Sequence, residues 1–272
     1  MLRTPWARYS AQWSWAIVIP IAAILATLLL TELQTLVVKS LGKASPPRWL
    51  EHSTSIGIQW LSFFVPALWL AHRYRLNLSA IFPLRKISLT QTLGLCLATV
   101  GLEFLASVIQ EFYIGIFRLS TSVTNELQIS DFSSGLLILI DSSLTPGFVE
   151  EWLFRGYLLG IFLNRFSSPV AILLTAIFFA GFHVDLEGVP TYLLCGIWFG
   201  WLRLHFNSLW PPVLAHALGN ALAIVYANIG YTFNPSLEIA LGTTCILLGL
   251  WWILGRSPAA LDLPLANSSN PK

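Results

Sequence analysis

Long apolar runs separated by short polar pieces are the dominant pattern of this 272-residue chain. About eight of the runs approach or exceed the roughly 20 residues that a helix needs to cross the hydrocarbon core of a bilayer. They lie near residues 15–38, 55–72, 90–117, 133–164, 168–186, 188–205, 209–229 and 236–254. The pieces between them contain turn residues, as around Pro46 and Pro83. The pattern predicts an all-α, polytopic integral membrane bundle of about eight transmembrane helices.

One membrane domain is expected, because no internal repeat or long low-complexity tract divides the chain. Within it, residues 1–130 would supply the N-terminal helices, and residues 131–232 contain the chemical motifs described below. Residues 233–272 would form the last helix and a polar tail. The first run follows Arg3 and Arg8, is too long for a signal-peptide core and lacks an A-x-A cleavage site. We therefore interpret it as a retained first span.

The composition excludes a water-soluble protein and gives no sign of a nucleic-acid binder. Hydrophobic residues make up 56% of the chain and charged residues only 10%, whereas a soluble domain carries about 25% charged residues. The net charge of +2 is not gathered into a basic stripe that could bind nucleic acid. Cys96, Cys195 and Cys245 lie in apolar runs, so we expect buried thiols and no disulfide framework.

Basic residues predict the orientation of the bundle. With eight spans both termini share one side, and that side carries most of the Lys and Arg residues, among them Arg3, Arg8, Arg73, Arg75, Arg85, Lys86, Arg165, Arg203 and Arg256. The other side carries Lys39, Lys43, Arg48 and Arg118. By the positive-inside rule, both termini of this multi-pass protein face the cytoplasm, with a bacterial plasma membrane as the expected location.

The run at 133–164 is broken by Pro146 and Gly147, and ionisable residues follow the break in the sequence EEWLFRG. Each such residue in a span costs about 2.5–3.5 kcal/mol and needs a reason to be there. Glu151 and Arg155 are spaced i,i+4 and can pair along a helix. Glu150 has no partner in its own helix, so it is either a general base facing a cavity or a member of a structural ion cluster.

Two further motifs place polar side chains in later spans. His183 ends the sequence FAGFH, which begins at Phe179, and His216 and Asn220 are spaced i,i+4 on one helical face. Either histidine could instead be a structural hydrogen-bonding residue between helices. Small residues near the motifs predict close helix packing, at Gly156 and Gly160, at Gly196 and Gly200, and at Ala215 and Gly219.

Together these side chains suit hydrolysis by an activated water. A carboxylate and an imidazole can hold and deprotonate water, and a His and an Asn one turn apart can donate hydrogen bonds to an oxyanion. The chain has no HExxH zinc motif and no GxGD aspartate motif. We expect no metal or other cofactor, although zinc held by His183, His216 and a glutamate stays open.

The three motifs resemble those of the CPBP family, which comprises the CAAX proteases and the bacteriocin-processing or Abi proteins, also called glutamate intramembrane proteases. Its pattern is EExxxR, FxxxH and HxxxN or HxxxD in that order, and it is matched here without departure over roughly residues 133–229. The resemblance implies an endopeptidase similar to type II CAAX prenyl proteases. Its substrates would be proteins or peptides, among them prenylated or membrane-bound ones.

The resemblance also implies a role for each motif residue. Glu150 and His183 would activate the water, and His216 and Asn220 would stabilise the oxyanion. Glu151 and Arg155 would brace the first motif, with Phe179 as a supporting residue.

The alternative is a non-catalytic membrane protein, either a proton-coupled transporter or a scaffold that binds partner helices, since buried Glu and His residues also serve as proton relays. Convergence of Glu150, His183, His216 and Asn220 on one cavity would favour hydrolysis. Glu103, Glu111 and Asp141 could line a substrate path or form structural pairs. His52 stands beside Glu51 at a predicted span end, and we expect it to be interfacial.

Overall fold

The computed structural model describes residues 13–40, 47–73, 78–119, 127–230 and 234–255, which form helices and connecting turns and contain no β-strand. The helices are α1 (Trp13–Ser40), α2 (Arg48–Gln59, Trp60–Phe64 and Val65–Arg73), α3 (Leu78–Ile81), α4 (Leu89–Phe117), α5 (Phe132–Leu163), α6 (Ser168–Phe182), α7 (Val189–His205), α8 (Trp210–Asn228) and α9 (Pro235–Leu254). All but the short α3 correspond to the eight apolar runs, so the prediction of an all-α membrane fold is confirmed.

Four of these helices are long and apolar enough to cross a membrane by themselves: Ile21–Ser40 within α1, Leu89–Phe117, Phe132–Leu163 and Pro235–Leu254. The other four long segments are shorter or more polar, so eight crossings stay a prediction. Both chain termini lie outside the described residues, and the predicted orientation is therefore argued from the sequence alone.

Local sequence explains where several helices begin. Ser88 caps α4 by accepting a hydrogen bond from the backbone of Gln91, whose side chain bonds back to the cap. Asp131 caps α5 in the same way with Ser134. Hydrogen bonds from Ser133, Ser134 and Ser130 lower the pKa of the Asp131 carboxyl to about 2, which keeps the cap charged. Proline stands in the first turn of α6, α7, α8 and α9, where its missing N–H costs nothing.

Helices α4 and α9 make the most extensive helix–helix contact of the described residues, and glycine permits it. A Cβ at Gly94 would stand 2.8 Å from the carbonyl oxygen of Gly249, and one at Gly101 would stand 2.6 Å from that of Gly242. Real Cβ atoms do not approach a backbone oxygen so closely. The backbones therefore touch at two levels, seven residues apart on each helix.

Helix α5 is the most deeply buried of the long helices and positions the first motif inside the bundle. Leu153, Phe154 and Leu158 are fully buried along it. Helix α5 approaches the backbone of α8 closely at Gly147. A Cβ at this position would stand 2.9 Å from the backbone nitrogen of Ala217, so glycine permits the contact. The predicted close packing is also present between α6 and α7, where Gly196 lies against Ala176.

Candidate active site

The first motif lies at a change of helical geometry inside α5. Glu150 and Glu151 end an α-helical stretch, and residues Trp152–Leu158, which include Arg155, form a π-helical stretch. Wider π turns inside α-helices occur frequently at functional sites. Glu150, Glu151 and Arg155 are all buried, with exposed fractions of 7%, 0% and 1%. Three ionisable groups thus lie within one buried segment of a predicted span.

Glu151 joins Arg155 to the third motif. Its Oε1 accepts a hydrogen bond from Arg155 Nη1 at 2.8 Å, as the i,i+4 spacing predicted. The same oxygen lies 2.9 Å from His216 Nδ1 on α8. Since a carboxylate oxygen only accepts, Nδ1 of His216 carries a proton and donates it to this bond. Glu151 therefore fixes the orientation of the His216 ring as well as pairing with Arg155.

Arg155 is enclosed by aromatic rings and makes a second hydrogen bond. Its Nη2 donates to the carbonyl oxygen of Gly196 at 3.1 Å. The centre of its guanidinium lies 4.4 Å from the ring centroid of Phe179 and 5.1 Å from that of Phe199, within the range of cation–π attraction. Phe179, which the sequence marked only as a supporting residue, thus packs directly on the buried cation.

Glu150 has an oxygen without a hydrogen-bond partner. Its Oε2 is buried and unbonded among the described residues, and His216 Nε2 lies 3.9 Å from it. That distance is too long for a direct hydrogen bond, although the two charges would interact at it. A buried carboxylate with a free oxygen beside an imidazole nitrogen retains the capacity to accept a proton.

His183 is held so that one ring nitrogen keeps its lone pair. It follows α6, and its Nδ1 donates to the carbonyl oxygen of Phe179 at 2.8 Å, which leaves Nε2 of the neutral ring as an acceptor. The ring stacks on Tyr192, with centroids 3.8 Å apart. Tyr192 in turn donates to Asp185 Oδ2 at 3.0 Å. Val184, the next residue, has a φ of 50°, which is strained for a β-branched side chain.

A cavity of about 240 Å³ brings the second and third motifs together. His183, His216 and Asn220 line it, and so do Phe179 and Phe199. Glu150 does not line this cavity, but it faces His216, which does. Three of the four residues predicted to converge therefore share one cavity, and the fourth adjoins it through a histidine.

The cavity also contains residues that no motif indicated. Glu103 and Gln110 reach it from α4, and Asp185, Thr191 and Tyr192 reach it from the turn after α6 and the start of α7. Glu103 is one of the ionisable residues that the sequence places in a span, and the structure places it in the cavity wall. Tyr192 gave no signal, because an aromatic residue near the start of a membrane helix is common.

The other two acidic residues left open by the sequence lie elsewhere. Glu111 is exposed on α4. Asp141 Oδ2 lies 2.7 Å from His52 Nδ1, and Gln59 donates to Asp141 Oδ1 at 2.9 Å. His52 is buried by its pair with Asp141, and its expected location at the membrane interface stays a prediction. This pair lines a separate polar cavity of about 570 Å³ between α1, α2 and α5.

The described residues contain no group of three or more His, Cys, Asp or Glu side chains arranged to hold a metal ion. Glu150, Glu151 and His216 come close together, but Glu151 is already bonded to Arg155 and to His216. The absence of a cofactor stays a prediction.

Comparisons with known proteins agree with the motifs. Residues 132–222 match the family described as Type II CAAX prenyl endopeptidase Rce1-like. A relative in Bacillus subtilis (strain 168), named "Putative membrane peptidase YdiL", is 26% identical over 121 residues, which cover 44% of this chain and 49% of the relative. The aligned region thus spans about half the length of that relative. No solved structure matches. The resemblance to the CPBP family is confirmed by these findings.

Proposed function

We propose that the protein is a membrane endopeptidase of the CPBP type, which hydrolyses a peptide bond with an activated water. The observation that carries the proposal is the buried Glu150 carboxylate. Among the described residues its Oε2 is unbonded and lies 3.9 Å from Nε2 of His216, which lines the cavity together with His183 and Asn220. A transporter or scaffold needs no such grouping of a base with hydrogen-bond donors, whereas acyl hydrolysis requires both.

In the proposed reaction, Glu150 is the general base and His183 positions the water. The unprotonated Nε2 of His183 accepts a hydrogen bond from the water, and Glu150 removes a proton as the water oxygen attacks the carbonyl carbon. When the C–N bond breaks, Glu150 returns that proton to the leaving amine. The water is thereby divided between the new carboxyl group and the new amino group, and no other reactant is needed.

The oxyanion of the tetrahedral intermediate would be stabilised by His216 and Asn220. Asn220 donates through its amide NH₂. The Nδ1 proton of His216 is donated to Glu151 at 2.9 Å, which holds the ring in place and leaves Nε2 as the nitrogen that, when protonated, would donate to the oxyanion. Glu151 thus acts as a positioning residue for His216.

The proposed substrates are proteins or peptides, including prenylated or membrane-bound ones, and they would reach the site within the bilayer region. The test compares hydrolysis of quenched fluorescent peptides and of membrane extracts by purified wild-type protein, Glu150→Gln and His183→Ala. We expect each variant to lose at least about 100-fold in rate while eluting as folded protein. Glu111→Gln is the matched control, since Glu111 is exposed on α4 and should retain the wild-type rate.

Three results would contradict the proposal. Full activity in both Glu150→Gln and His183→Ala would remove these residues from the reaction. We expect chelators to have no effect on activity. If a strong chelator abolished activity and zinc restored it, metal catalysis would replace water activation by Glu150 as the mechanism. If the wild type cleaves no peptide in any extract, the non-catalytic alternative becomes the better interpretation.

A further inference from the structure

The cavity wall supplied by α4 carries an acidic residue that belongs to none of the three motifs. Glu103 stands at the middle of Leu89–Phe117, a helix long enough to cross the membrane. Its Oε1 lies against α8, 2.5 Å from where a Cβ of Gly219 would stand. Gly219 and Asn220 both line the cavity, so the Glu103 carboxylate shares this cavity with the proposed oxyanion site.

Glu103 is weakly bonded for a carboxylate in this position. Its hydrogen bond among the described residues comes from the thiol of Cys195, with a distance of 3.5 Å from Sγ to Oε1. A thiol is a weak donor and cannot compensate a carboxylate for the loss of water. The second carboxylate at the cavity, Asp185, is instead engaged by the hydroxyl of Tyr192 and the backbone N–H of Glu187.

The cavity contains two carboxylates, and its basic side chains are the histidines His183 and His216. Among the described residues that line it, Glu103 and Asp185 are acidic and none is Lys or Arg. Arg155 does not line it, because that cation is covered by Phe179 and Phe199 and paired with Glu151. A positive group of a ligand beside Glu103 would complement this carboxylate, whereas a free carboxylate in the same place would be repelled by it.

From these observations we propose that Glu103 forms an acidic subsite that binds a basic side chain of the peptide substrate close to the bond that is cut. The inference rests on the proposed endopeptidase function and narrows it. An internal bond near a Lys or Arg residue suits the cavity better than a bond a few residues from a free C-terminal carboxylate, as in a CaaX segment.

A binding experiment tests the subsite without requiring turnover. The ligands are acetylated and amidated ten-residue Ala–Leu peptides with an uncharged fluorophore, each with a single Lys at a different position, and the same set with Gln instead. A further peptide has a free carboxylate. Binding is measured by fluorescence anisotropy to Glu150→Gln protein in detergent, so that no peptide is consumed, and again to the Glu150→Gln, Glu103→Gln double variant.

We expect at least one Lys peptide to bind about tenfold or more tightly than its Gln partner, and that ratio to fall to near one in the double variant. The free carboxylate should weaken binding. Equal binding of every Lys and Gln pair, or a Lys preference that survives Glu103→Gln, would overturn the proposal. Tighter binding of the peptide with the free carboxylate would overturn it as well.

Two further measurements distinguish failure of the subsite proposal from failure of the proposed endopeptidase function and from misfolding of the variant. Cleavage of the same peptides by wild-type protein reports on the proposed function, and a Lys preference in binding without any cleavage would reject that function alone. If the Glu103→Gln variant fails to fold, Gly219→Ala takes its place, because the new methyl group would displace the Glu103 carboxylate and reduce the same Lys-to-Gln ratio. Glu111→Gln, on the same helix but exposed, should leave the ratio unchanged.

Discussion

The two adjacent glutamates of the first motif differ in what they bond to, and a single substitution in each should separate their roles. Glu151 Oε1 accepts from both Arg155 and His216, whereas Glu150 Oε2 has no hydrogen-bond partner in the described part of the chain. Removing one member of a buried ion pair leaves an uncompensated charge, which costs about 3–5 kcal/mol. Glu150 has only the longer contact of 3.9 Å with His216 Nε2, so removing its charge has a smaller penalty.

We therefore predict that Glu151→Gln lowers the free energy of unfolding by about 3 kcal/mol or more, while Glu150→Gln leaves it nearly unchanged or raises it. Thermal unfolding of the purified proteins in one detergent, followed by circular dichroism, measures the difference. Both changes keep the shape of the side chain, so each serves as the control for the other. Equal melting temperatures for the two variants would contradict the structural role assigned to Glu151.

At the scale of helices, the contact between α4 and α9 depends on four glycines. The pairs are Gly94 with Gly249 and Gly101 with Gly242, and in each pair one backbone carbonyl fills the space of the other residue's Cβ. This contact determines where α4 stands, and α4 supplies Glu103 and Gln110 to the cavity. Packing of α4 against α9 thus helps to position the residues that α4 contributes to the candidate site.

We predict that Gly101→Ala destabilises the protein by about 1–3 kcal/mol, because its methyl group would lie 2.6 Å from the backbone oxygen of Gly242 and neither helix can yield easily. Gly115→Ala on the same helix is the control. A Cβ there meets no atom within 4 Å, so the substitution should be neutral or slightly stabilising. Unfolding temperatures in detergent test both, and a milder effect at Gly101 than at Gly115 would exclude this account of the helix contact.

Sequence patterns predicted much of what depends on a single helix, although not the π-helical stretch Trp152–Leu158 or the continuation of α5 through Pro146 and Gly147. Apolar runs located the eight long helical segments, and the i,i+4 rule found the pair of Glu151 and Arg155. What depends on two helices could not be inferred in the same way. The bond between Glu151 and His216 joins residues 65 apart in sequence, and only the packing of α5 on α8 brings them together.

Glycine spacing also shows that contacts between two helices are hard to predict from the sequence of one. Spacing of four residues drew attention to Gly196 and Gly200, which do pack closely against α6. The seven-residue spacing of Gly94 with Gly101, and of Gly242 with Gly249, does not by itself predict a contact, since glycines are frequent in membrane helices. The spacing becomes informative only when the two helices are known to pack together. The position of Glu103 in the cavity wall likewise depends on how α4 packs in the bundle, which the sequence of α4 alone does not show.

At the scale of the whole molecule, the side of the membrane from which the cavity is reached follows from the order of the helices. If each of the eight long segments crosses once, the turn after α6 lies on the same side as the segment between α4 and α5. That turn contributes Asp185 and Gly188 to the cavity. The positive-inside rule puts both termini in the cytoplasm, so this turn and the adjoining end of the cavity would face the opposite, non-cytoplasmic side.

Cysteine labelling in intact cells tests this arrangement directly. We predict that Leu186→Cys, in the turn after α6, reacts with a membrane-impermeant maleimide added outside. Ser167→Cys, in the turn before α6, should react only after the membrane is permeabilised. Both residues are exposed, so a difference between them reports on sidedness rather than on burial. The wild type gives the background from its own thiols. The reverse labelling pattern would show that the bundle has the opposite orientation, with this end of the cavity facing the cytoplasm. Labelling of both sites from outside would show that α6 does not cross the membrane.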